Sequence, residues 1–390
     1  MPVFTPIALL ASPRRILVRG VNWLGDAVMT TPALLRLHER FPEARLTLLT
    51  PEKLRDLWPQ HPAVNEVISF AAGEGLFSVG RQLRERQFDL ALVLPNSPRS
   101  ALEAWLARIP QRFGYARPWR NWLLTQPIGE RSGHVTMRKR SVGAIRRLAN
   151  SPGGGTYAKA QSTQPAPAHQ IHEYLHLVAA LGANSEPLPP RLTISPAEVL
   201  AAGEKFGLAA GSPPICGLNP GAEYGPAKRW PAKRFIAAAL EIQKRTNCAW
   251  LILGGKNDVE LAADIAAGIA QQAPRGKPPV NLAGQTSLRE LLAVLNHCHV
   301  LLTNDSGPMH VAAALGVPVV VPFGSTSPEL TGPGLPGDPR HRCLRAKAPC
   351  APCFQRVCPI DLRCLNGISV EHVVSAVVEI FGRGFDPERR

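Results

Sequence analysis

One stretch constrains the fold more than any other. An apolar run, Val300-Leu301-Leu302, enters Thr303-Asn304-Asp305-Ser306-Gly307-Pro308-Met309-His310. It continues through Val311-Ala312-Ala313-Ala314-Leu315-Gly316 and emerges at once in a second apolar run, Val317-Pro318-Val319-Val320-Val321. Two buried-strand patterns separated by a short helical one that stops at a glycine are the strand-turn-helix-strand unit of a parallel sheet. Ser306 or Asp305 is expected to cap the helix, and Pro308 suits its first turn. Gly307 has no Cβ, so a ligand can approach the backbone. The free N–H groups and positive dipole end of that helix would face the carboxyl end of the sheet, where a diphosphate is well received. From this stretch alone, an ordinary capped helix between two strands is an equally good reading.

The same alternation runs through the chain. Ile16–Arg19 reads as the first strand, and the loop Gly20-Val21-Asn22-Trp23-Leu24-Gly25-Asp26 leads into one helix from Ala27 to Arg40, with Pro32 in its first turns or at a kink. Strands follow at 46–49, 67–70, 90–94 and 112–115. The strand at 90–94 leads into Pro95-Asn96-Ser97. In the second half, strands are expected at 215–219, 250–253 and 280–282 before the opening unit. The loop Pro220 to Arg229 carries glycines and a Lys228-Arg229 pair ahead of a helix started by Trp230-Pro231. It lacks the Lys-Ser/Thr ending of a Walker loop, and both a phosphate site and a solvated basic loop fit it. Asp26 at a helix start reads either as a cap or as a general base. Asn257 or Asp258 reads as a cap or as a ribose partner.

The chain's length of 390 residues suggests two domains. The boundary is expected at the stiff Pro187-Leu188-Pro189-Pro190 segment, giving domains 1–188 and 189–390. The Gly-, Pro- and Ser-rich residues 150–169 read as a flexible insertion. The final helix, Val370 to Phe381, is expected to pack on one domain, with the first as an option. The formal net charge of +15 is uneven: residues 1–150 carry 22 Lys and Arg against 11 Asp and Glu. Between 108 and 147, ten basic residues accompany Glu130 alone. Such a segment, with Trp119 and Trp122 in it, favours an anionic partner: a phosphorylated substrate, an acidic membrane surface or nucleic acid. No zinc-finger or ribonucleoprotein signature is present. No apolar stretch is long enough to span a bilayer, and no basic residue precedes the short apolar run at 7–11, so no secretory signal is expected. A cytoplasmic location follows. Cys350, Cys353, Cys358 and Cys364 have spacing similar to a small zinc knot. Reduced structural thiols are the other reading.

Taken together, Asn22–Asp26, Leu94–Ser97, the run Asn219–Pro231, Thr303–His310 and the segment Cys350–Asp361 resemble the lipopolysaccharide heptosyltransferases of glycosyltransferase family 9, over about residues 15–380. The resemblance implies an α/β protein of the GT-B fold, two Rossmann-like domains facing across a cleft. It implies inverting transfer of L-glycero-D-manno-heptose from ADP-heptose. The Pro-Gly-Ala-Glu-x-Gly-Pro-Ala-Lys-Arg-Trp-Pro run points to the member whose acceptor is the first heptose on Kdo-lipid A, at the inner face of the inner membrane. Asp26 is then the catalytic base. Lys228, Arg229, Glu223, Asn257, Asp305, Ser306, Gly307 and His310 are donor-binding, and Asn22, Trp23, Asn96, Ser97 and Arg120 are acceptor-binding. Arg112, Arg117 and Arg138-Lys139-Arg140 are further candidates for the acceptor's phosphates and carboxylates. No metal, cofactor or nucleic-acid partner is implied. The alternatives are a family member with another core acceptor, and a non-catalytic protein that binds anionic surfaces or nucleic acid.

Overall fold

The computed structural model describes residues 12–150, 168–208, 213–273 and 277–382. The expected insertion, apart from its edges, and the two chain ends lie outside these residues. The chain divides into two compact units. Residues up to 134 together with 168–193 form the first, and 135–150 together with residues from 194 onward form the second.

The first unit is built on six strands: β1 (Arg15–Arg19), β2 (Arg45–Pro51), β3 (Glu66–Phe70), β4 (Leu90–Val93), β5 (Gln111–Tyr115) and β6 (Gln126–Ile128). The second has β7 (Ile215–Asn219), β8 (Ala249–Ile252), β9 (Val280–Asn281), β10 (Cys298–Thr303), β11 (Val319–Phe323) and β12 (Arg342–Arg345). All pairings are parallel. The central strands are buried along nearly their whole length, as parallel strands covered by helices on both faces must be.

The strand order is β3-β2-β1-β4-β5-β6 in the first sheet and β12-β11-β10-β7-β8-β9 in the second. Counted within each half, the two orders are the same Rossmann order. Each reverses direction once, between β1 and β4 and between β7 and β10. Loops leaving the carboxyl ends of strands at such a reversal diverge and open a crevice, the general ligand site of open α/β sheets.

Several expectations change. The single helix from Ala27 to Arg40 is two, Leu24–Met29 and Thr31–Arg40, with Pro32 in the first turn of the second. Proline's missing N–H and fixed φ start a helix more readily than they continue one. The strands β6 and β12 were not expected. Both are short edge strands: β6 contains Pro127, which is tolerated only at an edge, and β12 begins and ends with arginine. The segment Val142–Ala149 belongs to the second unit, where Ile145 enters the core. The terminal helix Val370–Gly382, allowed above to pack back on the first domain, places Val373, Val374 and Val377 in that same second core.

Candidate functional site

The motifs singled out in the sequence fall at the two reversal points. In the first unit, β1 feeds the loop to Asp26 and β4 feeds Pro95-Asn96-Ser97. Asp26 sits half-buried in the first turn of the helix Leu24–Met29, and the N-cap position is Trp23's rather than its own. The helix entry is instead set by the extended backbone of Trp23, whose exposed ring lies 5.5 Å from the Lys53 ammonium. After burial, Asp26 is the largest influence holding the Tyr174 phenol well above its usual range, so the carboxylate and the helix Ile171–Ala179 are electrostatic neighbours. Asn22, Asn96 and Ser97 are exposed. Ser97 caps the helix Pro98–Leu106, accepting from the Ser100 N–H at 3.3 Å.

Behind this edge lies a group that sequence reasoning missed. Arg19, the last residue of β1, donates through Nε to Glu103 Oε2 at 2.7 Å, with 3% and 0% of the side chains exposed. Its Nη1 donates to the Gly20 carbonyl and, at 3.2 Å, to Asn22 Oδ1. The other Glu103 oxygen accepts from Arg99 Nε at 3.1 Å. Removing one partner of a sealed pair typically costs about 3–5 kcal/mol, because the other charge stays buried.

The basic segment is not one surface. The Arg112 guanidinium turns inward to the carbonyls of Ile109 and Leu123. Arg117 pairs with Glu130, and Arg131 with Glu173. Arg140 donates to Pro352 O within the second unit. Arg120, expected to meet the acceptor at the surface, is fully buried, donates to the Pro95 carbonyl, and packs over Gly114. Its Nε and Nη2 have no partner among the described residues. Desolvation brings its pKa down to about 10. Arg138 and Lys139 remain exposed.

In the second unit, β7 feeds the glycine-rich loop and β10 feeds Asn304–Gly307. Lys228 Nζ lies 2.7 Å from Asp305 Oδ2, which also accepts from Thr326 Oγ1 at 2.5 Å. Asn304 locks the two loops together: its Nδ2 donates to Pro220 O at 2.7 Å, and its Oδ1 accepts from Trp230 N at 2.9 Å. Asn219 bridges Thr303 and Ser306. The helix Gly307–Ala314 has Ser306 at its N-cap without a side-chain cap bond. Neither Ser306 nor Asp305 caps it, so its leading N–H groups keep their capacity for an anion. Arg229 reaches Asp258 at 3.5 Å, and Asp258 in turn accepts from Gly255 N. Glu223 and Asn257 are exposed, whereas His310 is buried in the helix.

The cysteine-rich segment supports this loop from behind. Tyr224 donates its hydroxyl to Phe354 O at 2.7 Å, and Ala227 N donates to Arg356 O at 2.9 Å. Gly225 has φ +150°, and a Cβ there would lie 2.5 Å from Arg356 O, so glycine is required by both conformation and contact. Cys350, Cys353, Cys358 and Cys364 line one small cavity with Ile145 and Ser325. Burial pushes the Cys350 and Cys353 thiols up, and Cys364 to about 12. Among the described residues, no group of three or more His, Cys, Asp or Glu is placed to hold a metal ion.

Two Rossmann-like domains, each presenting polar loops at its sheet's reversal point, are the architecture of GT-B glycosyltransferases. Residues 156–363 match the model of glycosyltransferase family 9 (heptosyltransferase). The chain is 32% identical over 326 residues to lipopolysaccharide heptosyltransferase 2 of Salmonella typhimurium, covering 82% of this chain and 85% of that one. It is 32% identical over 328 residues to lipooligosaccharide heptosyltransferase 2 of Haemophilus ducreyi, covering 82% and 86%. The solved structure of Escherichia coli ADP-heptose LPS heptosyltransferase II aligns with a TM-score of 0.72 at 27% identity, over 95% of this chain and 99% of that one. The chain belongs to glycosyltransferase family 9.

Proposed function

We propose that this enzyme transfers L-glycero-D-manno-heptose from ADP-heptose to the first heptose of a Kdo-lipid A inner core, in lipopolysaccharide core biosynthesis. The observation that carries the reading is the second unit's reversal point. Lys228, paired with Asp305, lies there beside an uncapped helix start, with Arg229 next in the loop and paired with Asp258, a set of donors fit for a diphosphate. Family membership supports the sugar.

In the proposed reaction, the acceptor hydroxyl oxygen attacks the anomeric carbon on the face opposite ADP. The bond from that carbon to the phosphate oxygen breaks, its electron pair leaves with ADP, and the hydroxyl proton passes to Asp26. A free carboxylate is a weak base, so its contribution comes from being held at the right place as the proton becomes acidic. The charge developing on ADP is met by Lys228, Arg229 and the helix N–H groups at Ser306-Gly307. Lys228 has three donors, so it can keep Asp305 while turning another toward a phosphate oxygen. Asp305 is then placed for the heptose hydroxyls and Asn257 for the ribose. Asn22, Trp23, Asn96 and Ser97 form the acceptor side, and the buried Arg120 supports it from beneath by donating to the Pro95 carbonyl.

The test is ADP release by the wild type and by Asp26→Asn, on acceptors bearing one heptose or none. Turnover on the monoheptosylated acceptor only, lost in the variant, is expected. Turnover on the heptose-free acceptor would assign a different core acceptor, and none on either would overturn the donor.

The acceptor is a lipid, and no helix among the described residues is long and apolar enough to cross a membrane. We therefore propose peripheral attachment to an anionic bilayer. The net positive charge supports it, as do the exposed Trp119 and the Trp105–Trp122 pair, since tryptophan favours the headgroup region. The protein should sediment with vesicles containing anionic lipid and be released by salt. Equal binding to neutral vesicles would rule out the charge contribution.

A further inference from the structure

We infer that Glu103 is a positioning residue of the transfer reaction. Together with Arg19, this buried carboxylate sets the place of the Asp26 loop. The inference rests on Asp26 acting as the base.

The geometry makes the carboxylate a hub. One oxygen takes Arg19 Nε at 2.7 Å and the other takes Arg99 Nε at 3.1 Å. Arg19 comes from the end of a strand at the sheet's reversal point, and Arg99 from one turn earlier on Glu103's own helix, which the loop after β4 leads into. Arg19 ends β1, and Arg99 follows Asn96-Ser97 after β4. Arg19 is held on its flat face as well, its guanidinium carbon 4.6 Å from the centre of the Phe70 ring. With Nε fixed by Glu103, the remaining fork is aimed at the loop, where Nη1 donates to Gly20 O and to Asn22 Oδ1. A planar guanidinium with one edge fixed has little freedom in the other. The position of Gly20 and Asn22 is thereby transmitted to Asp26, four residues beyond Asn22. Arg99 likewise donates through Nη2 to Glu74 O at 2.7 Å, which fixes the start of its own helix. A fully buried acid in the helix Pro98–Leu106 has no solubility role to explain it, and a hydrophobic residue would fill the space without the cost of burying charge. What an apolar residue cannot do is orient two forks at once.

Glu103→Gln tests the assignment in the full chain, by steady-state ADP release on the heptosylated lipid acceptor and by calorimetry with ADP. The expected result is a kcat lower by about ten- to a hundredfold, with ADP affinity unchanged. Combined with Asp26→Asn, the substitution should add little further loss, because no base remains to be misplaced. The melting temperature should fall under either reading, since a buried charge loses its partner; a merely structural role is told apart because its effect would multiply onto the Asp26→Asn loss. Arg19→Lys keeps the charge and loses the fork. It should show the same kcat loss and the same non-additivity, and it decides the matter where Glu103→Gln does not fold. Wild-type turnover in either folded variant, or full multiplication with Asp26→Asn, would overturn the inference alone. Wild-type turnover in Asp26→Asn would overturn the base assignment itself, and with it this one.

Discussion

The two reversal points share one topology and treat charge in opposite ways. In the first unit the ion pair lies behind the loop, with Arg19 and Glu103 sealed at 3% and 0% exposure, while Asp26 stands half-buried in front. In the second unit the pair is itself part of the front: Lys228 keeps 13% of its side chain exposed beside Asp305, next to a helix end with no side-chain cap. A sealed pair cannot exchange partners without stranding a charge, so it serves geometry. A pair at the edge can share its donors with an incoming anion. Under the proposed function, the first edge holds a base still and the second shares its donors with the diphosphate when it arrives.

The largest effect that could break this comparison is on the base. Asp26→Asn should lower kcat by about 10²- to 10⁴-fold and leave ADP affinity intact, as read by ADP release and calorimetry. If affinity fell in step with turnover, the two edges would not have separate tasks. Lys228→Met comes next. It should weaken ADP binding measurably and reduce kcat/KM by about 10²- to 10³-fold, and undiminished ADP affinity would place the diphosphate elsewhere.

The smallest expected effect concerns stability and is shared by both units. His61 in the first and His341 in the second are each held down to about 4, mainly by burial. Each is neutral in the fold, while the unfolded chain takes up a proton near the ordinary value of 6.5. Their contribution is therefore complete above about pH 6.5 and is lost as pH falls toward 4. Melting temperatures at pH 7 and pH 4.5 should differ, and His61→Gln with His341→Gln should narrow the gap. An unaltered pH dependence in the double variant would assign the acid loss to other groups.

Much of the fold was legible because parallel central strands are continuous apolar runs, and some helices, such as Pro196–Phe206 before Gly207, stop at a glycine. The edge strands β6 and β12 escaped because three or four residues with a proline or flanking arginines carry little periodicity. The polar loops of the site were legible for a related reason: the loops that carry Asp26, Lys228-Arg229 and Asn304–Gly307 each leave the end of an apolar run, where a turn at the sheet's carboxyl edge lies. Glu103 was not. An acid within a helix, with Arg99 one turn before it, reads as a solvated face until Arg19 from a distant strand seals it in. Arg120 misled in the same way, since a basic residue among exposed tryptophans reads as surface, while the fold buries it against Gly114.

The sequence by itself thus determined the element order, the two-domain α/β class, the family and the loops that carry the chemistry. These are encoded locally, in periodicity and in short motifs. Only the tertiary structure decided which charges are spent and which remain available. It turned a run of ten basic residues into main-chain anchors, a buried guanidinium and a few exposed cations. It also placed Ile145 in the second unit's core, far along the chain from the residues it packs against. The physical reason is that burial and pairing depend on residues distant in sequence. A charge's cost and use follow from its neighbours in space, not from its position in the chain.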